Sequence, residues 1–176
     1  VETYQTDILA NDILPTSGSA GPNFLLFSEK LTDSAWIKKN VSVTSSSFTI
    51  PEGQIQADLI TFNGSSGTES ISQIPGVGNG HDPYTWSAFL RTADGSTQTV
   101  YVTWGKGNVP LTINGDWQRY TAVITPYYED EVALGNLPGI LNVPAGVSIF
   151  ASEFQLNPGN TAANYLKTTA LPSSGS

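Results

Sequence analysis

Closely spaced turn sequences divide the chain into short runs in which apolar and polar side chains alternate. Residues 41–44 (VSVT) and 55–61 (IQADLIT) are two such runs. A period of two residues places successive side chains on opposite faces of a β-strand. The runs are separated by turn-forming sequences that include Asn63-Gly64, Asp94-Gly95, Asn114-Gly115 and Pro138-Gly139. We therefore expect about eight or more short strands in two antiparallel sheets packed face to face, with one short helical turn at Glu29–Ala35.

The composition limits which functions the chain can perform. Its 176 residues are enough for one domain with a full core, and only 12% of them are Asp, Glu, Lys or Arg. A formal net charge of −8 argues against nucleic-acid binding, because phosphate contacts require clustered Lys and Arg. No apolar run approaches the roughly 20 residues that cross a bilayer, so we expect no membrane insertion. The absence of cysteine excludes disulfides, thiolate catalysis and cysteine-bound zinc.

No arrangement of residues predicts catalysis. The single histidine, His81, lies in the turn sequence GNGHDPY, and the chain has no Gly-x-Ser-x-Gly motif. A hydrolytic triad would require a nucleophile, this histidine and an orienting acid to meet in space. No pair of carboxylates stands out as the acid and base of glycoside cleavage. We therefore expect a protein that is not an enzyme and has no catalytic residues.

Four segments, each joining a β-patterned run to an aromatic anchor, follow one another in a fixed order. They are 23–36 (NFLLFSEKLTDSAW), 82–92 (DPYTWSAFLRT), 115–126 (GDWQRYTAVITP) and 147–166 (VSIFASEFQLNPGNTAANYL). In this order they resemble carbohydrate-binding modules of the jelly-roll kind, in the variant common in structural proteins of tailed bacteriophages. The resemblance covers nearly the whole chain. It implies an all-β fold, an antiparallel β-sandwich (jelly roll) with an extended N-terminal arm.

The two ends of the chain contain similar polar sequences. LPTSGS at 14–19 is nearly repeated as LPSSGS at 171–176. These segments are either spacers at the two ends of one module in a tandem array, or two unrelated turn-forming linkers. We divide the chain into an extended arm or linker at 1–22, a jelly-roll β-sandwich at 23–166 and a C-terminal tail or linker at 167–176.

The resemblance implies a non-enzymatic structural module of a virion. Such a module would serve in a phage tail fibre or other appendage, or as a decoration on the capsid surface, and would adhere to host-surface glycans. Its partners would be other virion proteins and a cell-surface glycan, and the appendage setting implies a homo-oligomer such as a trimer. The alternative is an accessory carbohydrate-binding module of a secreted bacterial polysaccharide-degrading enzyme. A lyase or hydrolase on the same scaffold is a third hypothesis.

The first candidate ligand-binding surface lies on the run at 98–104 (QTVYVTW). Alternation buries the side of this strand that ends in Trp104 and leaves Tyr101 and Thr103 facing solvent. Arg91 joins them if its strand pairs with this one. A polar face with one tyrosine and one arginine suits a shallow glycan platform, and it equally suits an ordinary solvated sheet face. Three other tryptophans occupy anchor positions where we expect core packing: Trp36, Trp86 and Trp117.

The second candidate surface is the YYEDE sequence at 127–131. Its residues are Tyr127, Tyr128, Glu129, Asp130 and Glu131. The two aromatic rings suit contact with a sugar, and the three carboxylates supply the oxygen ligands that calcium prefers, although a hydrated acidic loop is the simpler interpretation. The resemblance implies a structural calcium ion, with Glu153 as a further ligand. The family often carries an Asp-Asp pair where this chain has Ser152-Glu153, and we expect no other cofactor.

Overall fold

The computed structural model describes residues 22–50, 55–64, 69–75, 82–105, 107–126, 139–141 and 146–169 of the chain. Ten strands lie within these ranges, which agrees with the number of alternating runs. They are β1 (Ile37–Lys39), β2 (Val41–Thr49), β3 (Gln56–Phe62), β4 (Ser70–Ser72), β5 (Tyr84–Thr92), β6 (Gln98–Trp104), β7 (Gly107–Ile113), β8 (Gln118–Ile124), β9 (Gly139–Leu141) and β10 (Ser148–Pro158).

The strands form two five-stranded sheets. The first sheet has the order β1-β4-β9-β6-β7 and the second sheet has the order β2-β3-β10-β5-β8. Every strand pair recorded in the described ranges is antiparallel. The all-β, antiparallel jelly-roll sandwich that the sequence predicts is therefore confirmed.

The core lies between the two sheets and is built by the predicted alternation. On β5, Trp86, Ala88 and Leu90 point inward and are fully buried. Trp104 on β6 is also buried, as the sequence predicts. Burying one large apolar side chain contributes about 1.5–3 kcal/mol, so a shared layer of this kind holds the two sheets together.

Trp36 and Trp86 occupy the core, but Trp117 does not. Trp36 is 2% exposed and its ring packs edge-to-face on Phe154 at 5.0 Å. Trp117 is only half-buried and precedes β8, the strand at one edge of the second sheet. The prediction of core packing is therefore wrong for Trp117, because an aromatic beside a turn at a sheet edge has solvent on one side.

The helical turn predicted at 29–35 is also wrong. This segment forms consecutive turns instead, in which backbone N–H groups of Lys30, Asp33 and Trp36 each donate to the carbonyl three residues earlier. The Asp33 carboxylate accepts from the N–H of Ala35 at 3.0 Å, a local bond that competes with helix formation. In the part of the chain that the structure describes, no helix is long and apolar enough to span a membrane.

The segments that enter and leave the sandwich are bound to one another beside β10. The Asn23 side chain donates to the carbonyls of Phe154 and Leu166, both at 2.9 Å. Thr168 donates its hydroxyl to the carbonyl of Leu25, and its N–H donates to the Ser28 hydroxyl at 2.9 Å. Thr168 is buried, so the packed structure continues beyond the predicted module end at residue 166. Most of the predicted arm, 1–21, and the end of the tail, 170–176, lie outside the described residues.

Candidate functional site

The outward face of the second sheet carries aromatic and arginine side chains that the strand register brings together. Phe150 on β10 lies opposite Arg91 on β5, and Phe89 on β5 lies opposite Arg119 on β8. Because inward residues of these strands fill the core, these four side chains project from the other face. We refer to the following set as the aromatic face: Phe48, Phe89, Arg91, Trp117, Arg119, Phe150 and Tyr165.

One half of the aromatic face is a cluster formed by Phe48, Arg91, Trp117 and Phe150, which we call the Arg91 cluster. The rings of Phe48 and Phe150 are stacked with centroids 4.5 Å apart and planes inclined by 27°. Trp117 lies against Phe150 with a centroid separation of 6.5 Å. The guanidinium carbon of Arg91 is 5.4 Å from the Phe48 centroid and 6.0 Å from the Trp117 centroid. Both distances are within the range of cation–π attraction.

The Arg91 cluster is open to solvent at Phe48. This side chain is 46% exposed, whereas Phe150 beneath it is 8% exposed. A partly exposed phenylalanine side chain stacked on a buried one is held in place and remains accessible to a ligand. The cluster therefore provides an ordered, partly exposed aromatic surface with a cation next to it.

Two tight turns place Trp117 beside Arg91. The N–H of Thr92 donates to the carbonyl of Asn114 at 2.8 Å, which ties the end of β5 to the turn before β8. Gly115 in that turn packs on Gly95 so closely that an added Cβ would lie 2.7 Å from the Gly95 Cα. The Asn114-Gly115 sequence thus sets the position of Trp117 through a contact that a larger residue would disrupt.

Arg119 occupies the other half of the face and is neutralised by Glu153. Its Nη1 lies 3.2 Å from the Glu153 carboxylate, and its Nη2 donates to the Ser87 hydroxyl at 2.9 Å. The rings of Phe89 and Tyr165 lie 5.5 Å and 5.2 Å from its guanidinium carbon. Burial lowers the pKa of Arg119, and the charge of Glu153 acts in the opposite direction.

Glu153 reaches Arg119 because β10 contains an irregularity. The pairing of β10 with β5 shifts register between Ser152 and Gln155, and Glu153 has a φ of 55°. A left-handed residue within a strand redirects the following side chains, as in a β-bulge. Here it turns Phe154 into the core against Trp36 while the Glu153 carboxylate stays on the outward face.

Tyr165 connects the aromatic face to a neighbouring cleft. Its hydroxyl lies 2.7 Å from the Ser28 hydroxyl and donates to Glu29 at 3.0 Å, and burial raises the pKa of Tyr165. Glu29 also forms an ion pair with Lys167 at 2.6 Å. Both residues line an open cleft of about 560 Å³, together with Phe27, Lys30, Gln56 and Thr168.

The first predicted glycan surface is not assembled in the structure. Tyr101 and Thr103 lie on β6 in the first sheet, whereas Arg91 lies on β5 in the second sheet. Thr103 is 5% exposed and pairs with Asn108 on β7 and Gly139 on β9. Tyr101 is half-buried on β6. The prediction that these three residues share an exposed face is therefore wrong.

The second predicted surface remains a prediction, because 127–131 lies outside the described residues, as does His81. Glu153 is described, and its carboxylate faces a guanidinium rather than an open ligand position. A calcium ion would have to compete with that fixed positive charge, which argues against Glu153 as a calcium ligand. Within the described ranges, no group of three His, Asp or Glu side chains could hold a metal ion.

Sequence reasoning did not identify Phe48, Phe150 or Trp117 as surface residues. A signal was available for Phe48, since a large aromatic interrupts the polar run SSSFT at 45–49. A second signal was the position of Trp117 directly after the Asn114-Gly115 turn. No signal could have brought Phe48 and Phe150 together, because they are about a hundred positions apart in the chain.

Comparison with known proteins shows the kind of sandwich that carries this face. No protein-family model matches the chain, and no curated protein matches it either. Among solved structures, the CBM22-1 xylan-binding domain of Xyn10C from Paenibacillus barcinonensis matches with a TM-score of 0.54 and 14% identity, over 83% of this chain and 100% of that domain.

Two further solved structures match in fold. The CBM22-1-GH10 modules of Clostridium thermocellum endo-1,4-β-D-xylanase 10B, complexed with xylohexaose, match with a TM-score of 0.51 and 10% identity, over 85% of this chain and 30% of that one. The enzymatically active domain of tailspike protein 4 from bacteriophage CBA120 matches with a TM-score of 0.52 and 9% identity, over 78% of this chain and 21% of that one. At these identities the likeness shows the fold alone, a β-sandwich like that of carbohydrate-binding modules.

Proposed function

We propose that the chain is a non-enzymatic carbohydrate-binding module that holds a polysaccharide on its aromatic face. The observation that carries this proposal is the Arg91 cluster, in which the half-exposed Phe48 ring is stacked on Phe150 beside Trp117. Aromatic side chains pair a large apolar face with defined geometry, and the C–H faces of sugar rings offer a matching apolar surface. The guanidinium of Arg91 adds hydrogen-bond donors at the side of this platform.

The shape of the site favours a polymer over a single terminal sugar. The aromatic face extends across a five-stranded sheet, which is roughly 19 Å wide at the usual strand spacing. It borders the open cleft at Glu29 and Lys167 through Tyr165. A chain of several sugar units can lie across such a surface and contact more than one ring.

The setting that we favour is an accessory module of a polysaccharide-degrading enzyme. It is supported by the fold shared with the xylan-binding domain of Paenibacillus barcinonensis and with the modules of the Clostridium thermocellum xylanase. The second candidate is a module of a phage tail fibre or other virion part that adheres to host-surface glycans. The match to the CBA120 tailspike domain favours this candidate.

Binding measurements on three variants test the proposal. Phe48→Ala and Trp117→Ala each remove one ring of the platform, and we expect each to weaken binding to a recognised polysaccharide by about tenfold or more, the effect of about 1.4 kcal/mol. Ile37→Ala is the control, because Ile37 is a similarly exposed apolar residue (41%) on the first sheet. Affinity electrophoresis against a panel of soluble polysaccharides gives the readout.

Two results would contradict the proposal. One is failure of the folded protein to bind any polysaccharide of the panel. The other is loss of binding in the Ile37→Ala control to the same extent as in Trp117→Ala. Release of reducing ends from any polysaccharide by the purified chain would contradict the non-enzymatic part of the proposal.

A further inference from the structure

We infer that the polysaccharide held by the aromatic face is anionic and that Arg91 binds its carboxylate or sulfate groups. This inference rests on the proposed function and adds to it the chemical class of the ligand. It is carried by the difference between the two arginines of the face, which lie on neighbouring strands in similar aromatic surroundings.

Arg119 is paired with a carboxylate, whereas Arg91 has no carboxylate partner among the described residues. The Glu153 carboxylate lies 3.2 Å from Arg119. Among the described residues, the ion pairs are formed by Arg119 and by Lys30 and Lys167, and none includes Arg91. Within the described ranges, Arg91 thus forms no ion pair on a face where the second arginine is paired with a carboxylate.

The hydrogen-bond donors of Arg91 are also largely unused. A guanidinium carries five N–H donors, and in the described ranges that of Arg91 makes one bond, from Nε to the carbonyl of Thr92 at 3.4 Å. In the part of the chain that the structure describes, its two Nη groups make no hydrogen bond and can serve a ligand. A planar guanidinium can donate two parallel N–H bonds to one carboxylate, and it recognises sulfate-like oxygens in the same way.

The aromatic rings hold this donor group in place before a ligand arrives. Phe48 and Trp117 both lie within about 6 Å of the guanidinium carbon of Arg91, and cation–π contacts engage the charge without occupying the N–H groups. A long side chain that is already ordered loses little further entropy on binding. The cluster therefore presents an oriented cation next to a surface that suits a sugar ring.

A neutral polysaccharide fits the same surface less well. Covering the half-buried Arg91 with uncharged sugar would remove water from a charge and supply no opposite charge in return, which is unfavourable. The net charge of −8 and the exposed carboxylates of Asp94 and Asp116, in the turns beside the cluster, repel an anionic polymer at long range. Salt at 0.15 M screens that repulsion over about 8 Å, whereas direct contact with Arg91 persists.

The test compares each anionic polysaccharide with a neutral form of the same backbone. Polygalacturonate and alginate are presented beside their carboxyl-reduced forms, and a sulfated galactan beside its desulfated form, all at 0.15 M salt. We expect at least one anionic member to bind tenfold or more tightly than its neutral counterpart. The carboxylate and sulfate pairs then distinguish which anion Arg91 prefers.

Variants of Arg91 assign the preference to this residue. Arg91→Gln keeps hydrogen-bonding ability but removes the charge, and we expect it to lower the affinity for the anionic member to that of the neutral one. Arg91→Lys keeps the charge but not the planar guanidinium that donates two parallel N–H bonds. We expect it to retain part of the preference for the anionic member. Lys39→Gln removes one exposed cation from the first sheet and should leave the preference unchanged. Circular dichroism confirms that each variant is folded.

The possible failures of the two proposals differ. Equal affinity for the anionic and neutral members, with binding still lost in Trp117→Ala, would overturn the inference and leave the proposed function standing. An anionic preference that survives in Arg91→Gln would also overturn the inference. No binding to any member by the folded protein would contradict the proposed function, and the inference with it.

Discussion

Phe48 and Phe150 stack with ring centroids 4.5 Å apart although a third strand, β3, lies between their own strands. The pairing of β2 with β3 shifts register between Ser45 and Thr49, so Phe48 lies in an irregular stretch. The β3 residue paired with Phe150 is Leu59, so the Phe48 ring contacts Phe150 across an intervening strand. The exposed end of the aromatic face thus lies in the irregular stretch of β2.

Phe48→Ala should lower the free energy of unfolding modestly and weaken polysaccharide binding strongly. Stacked aromatic pairs contribute about 0.5–1.5 kcal/mol beyond their buried area, and Phe48 is half-exposed, so we expect a loss of about 1–2 kcal/mol in the free energy of unfolding. Urea denaturation measures this. Ile37→Ala, at similar exposure, should change the free energy of unfolding by less than about 0.5 kcal/mol. Equal losses in the two variants would show that the ring stacking contributes nothing.

Gly115→Ala should disturb the site from a distance. The added methyl would lie 2.7 Å from the Gly95 Cα, so the turn before Trp117 must move. Overpacking of this kind costs about 1–3 kcal/mol of folding free energy, and we expect glycan binding to weaken as well.

Gly159→Ala is the matched control for Gly115→Ala. Gly159 has a φ of 94° and no atom near the position of an added Cβ, so alanine there is strained but meets nothing. It should cost stability without affecting binding. If Gly115→Ala binds polysaccharide as the unmodified protein does, the turn does not position Trp117.

Glu153→Gln should destabilise the fold by leaving Arg119 without its counter-charge. Both side chains are largely buried, with 10% and 21% of their surface exposed, and loss of one partner from such a pair costs about 2–4 kcal/mol. Combining it with Arg119→Met should recover part of the loss, since no unpaired charge remains. Thermal and urea denaturation of the two single variants and the double variant measure the coupling. Additive losses would mean that the two residues act independently.

We expect the contribution of Asp58 to the free energy of unfolding to fall as the pH rises from about 3. Burial raises the pKa of Asp58 above its usual 3.8, against the opposing effect of backbone N–H bonds such as that from Leu31 at 2.6 Å. The folded state therefore holds the proton more tightly than the unfolded state. The contribution of Asp58 to stability is therefore full below pH 3.8. It is lost as the pH rises through the raised pKa that Asp58 has in the folded state.

Asp58→Asn isolates this effect, because asparagine does not titrate. The stability of the unmodified protein minus that of the variant should decrease between about pH 3 and the raised pKa of Asp58, and then level off. Urea denaturation across this pH range gives the difference. A difference that stays constant, or that grows with pH, would contradict the assigned direction of the pKa shift.

Much of the fold could be predicted from local patterns. The anchor position of Trp86 predicted core packing, and the period of two on 98–104 predicted it for Trp104. Turn sequences located the strand ends, as at Asp94-Gly95, where Gly95 has a φ of 78°. These features depend on residues close together in the chain, so they can be predicted without knowledge of the fold.

The candidate site could not be predicted in the same way. Arg91 could join Tyr101 only if β5 paired with β6, but β5 pairs with β8 and β10 while β6 pairs with β7 and β9. The prediction of core packing for Trp117 was also wrong. Trp117 lies beside β8, and only the order of strands in the sheet shows that β8 is at its edge. Glu153 is suitable for calcium by residue type, and only the register shift in β10 shows that it faces Arg119.

The sequence by itself therefore determined that this protein is an antiparallel β-sandwich and which side of the strand at 98–104 is buried, because the period of two residues is a local property. The tertiary structure alone decided which strands are neighbours and where their register shifts. Strand order and register place Phe48 against Phe150, Arg91 against Trp117 and Arg119 against Glu153. They are set by packing across the whole sandwich, to which each local pattern contributes only a part.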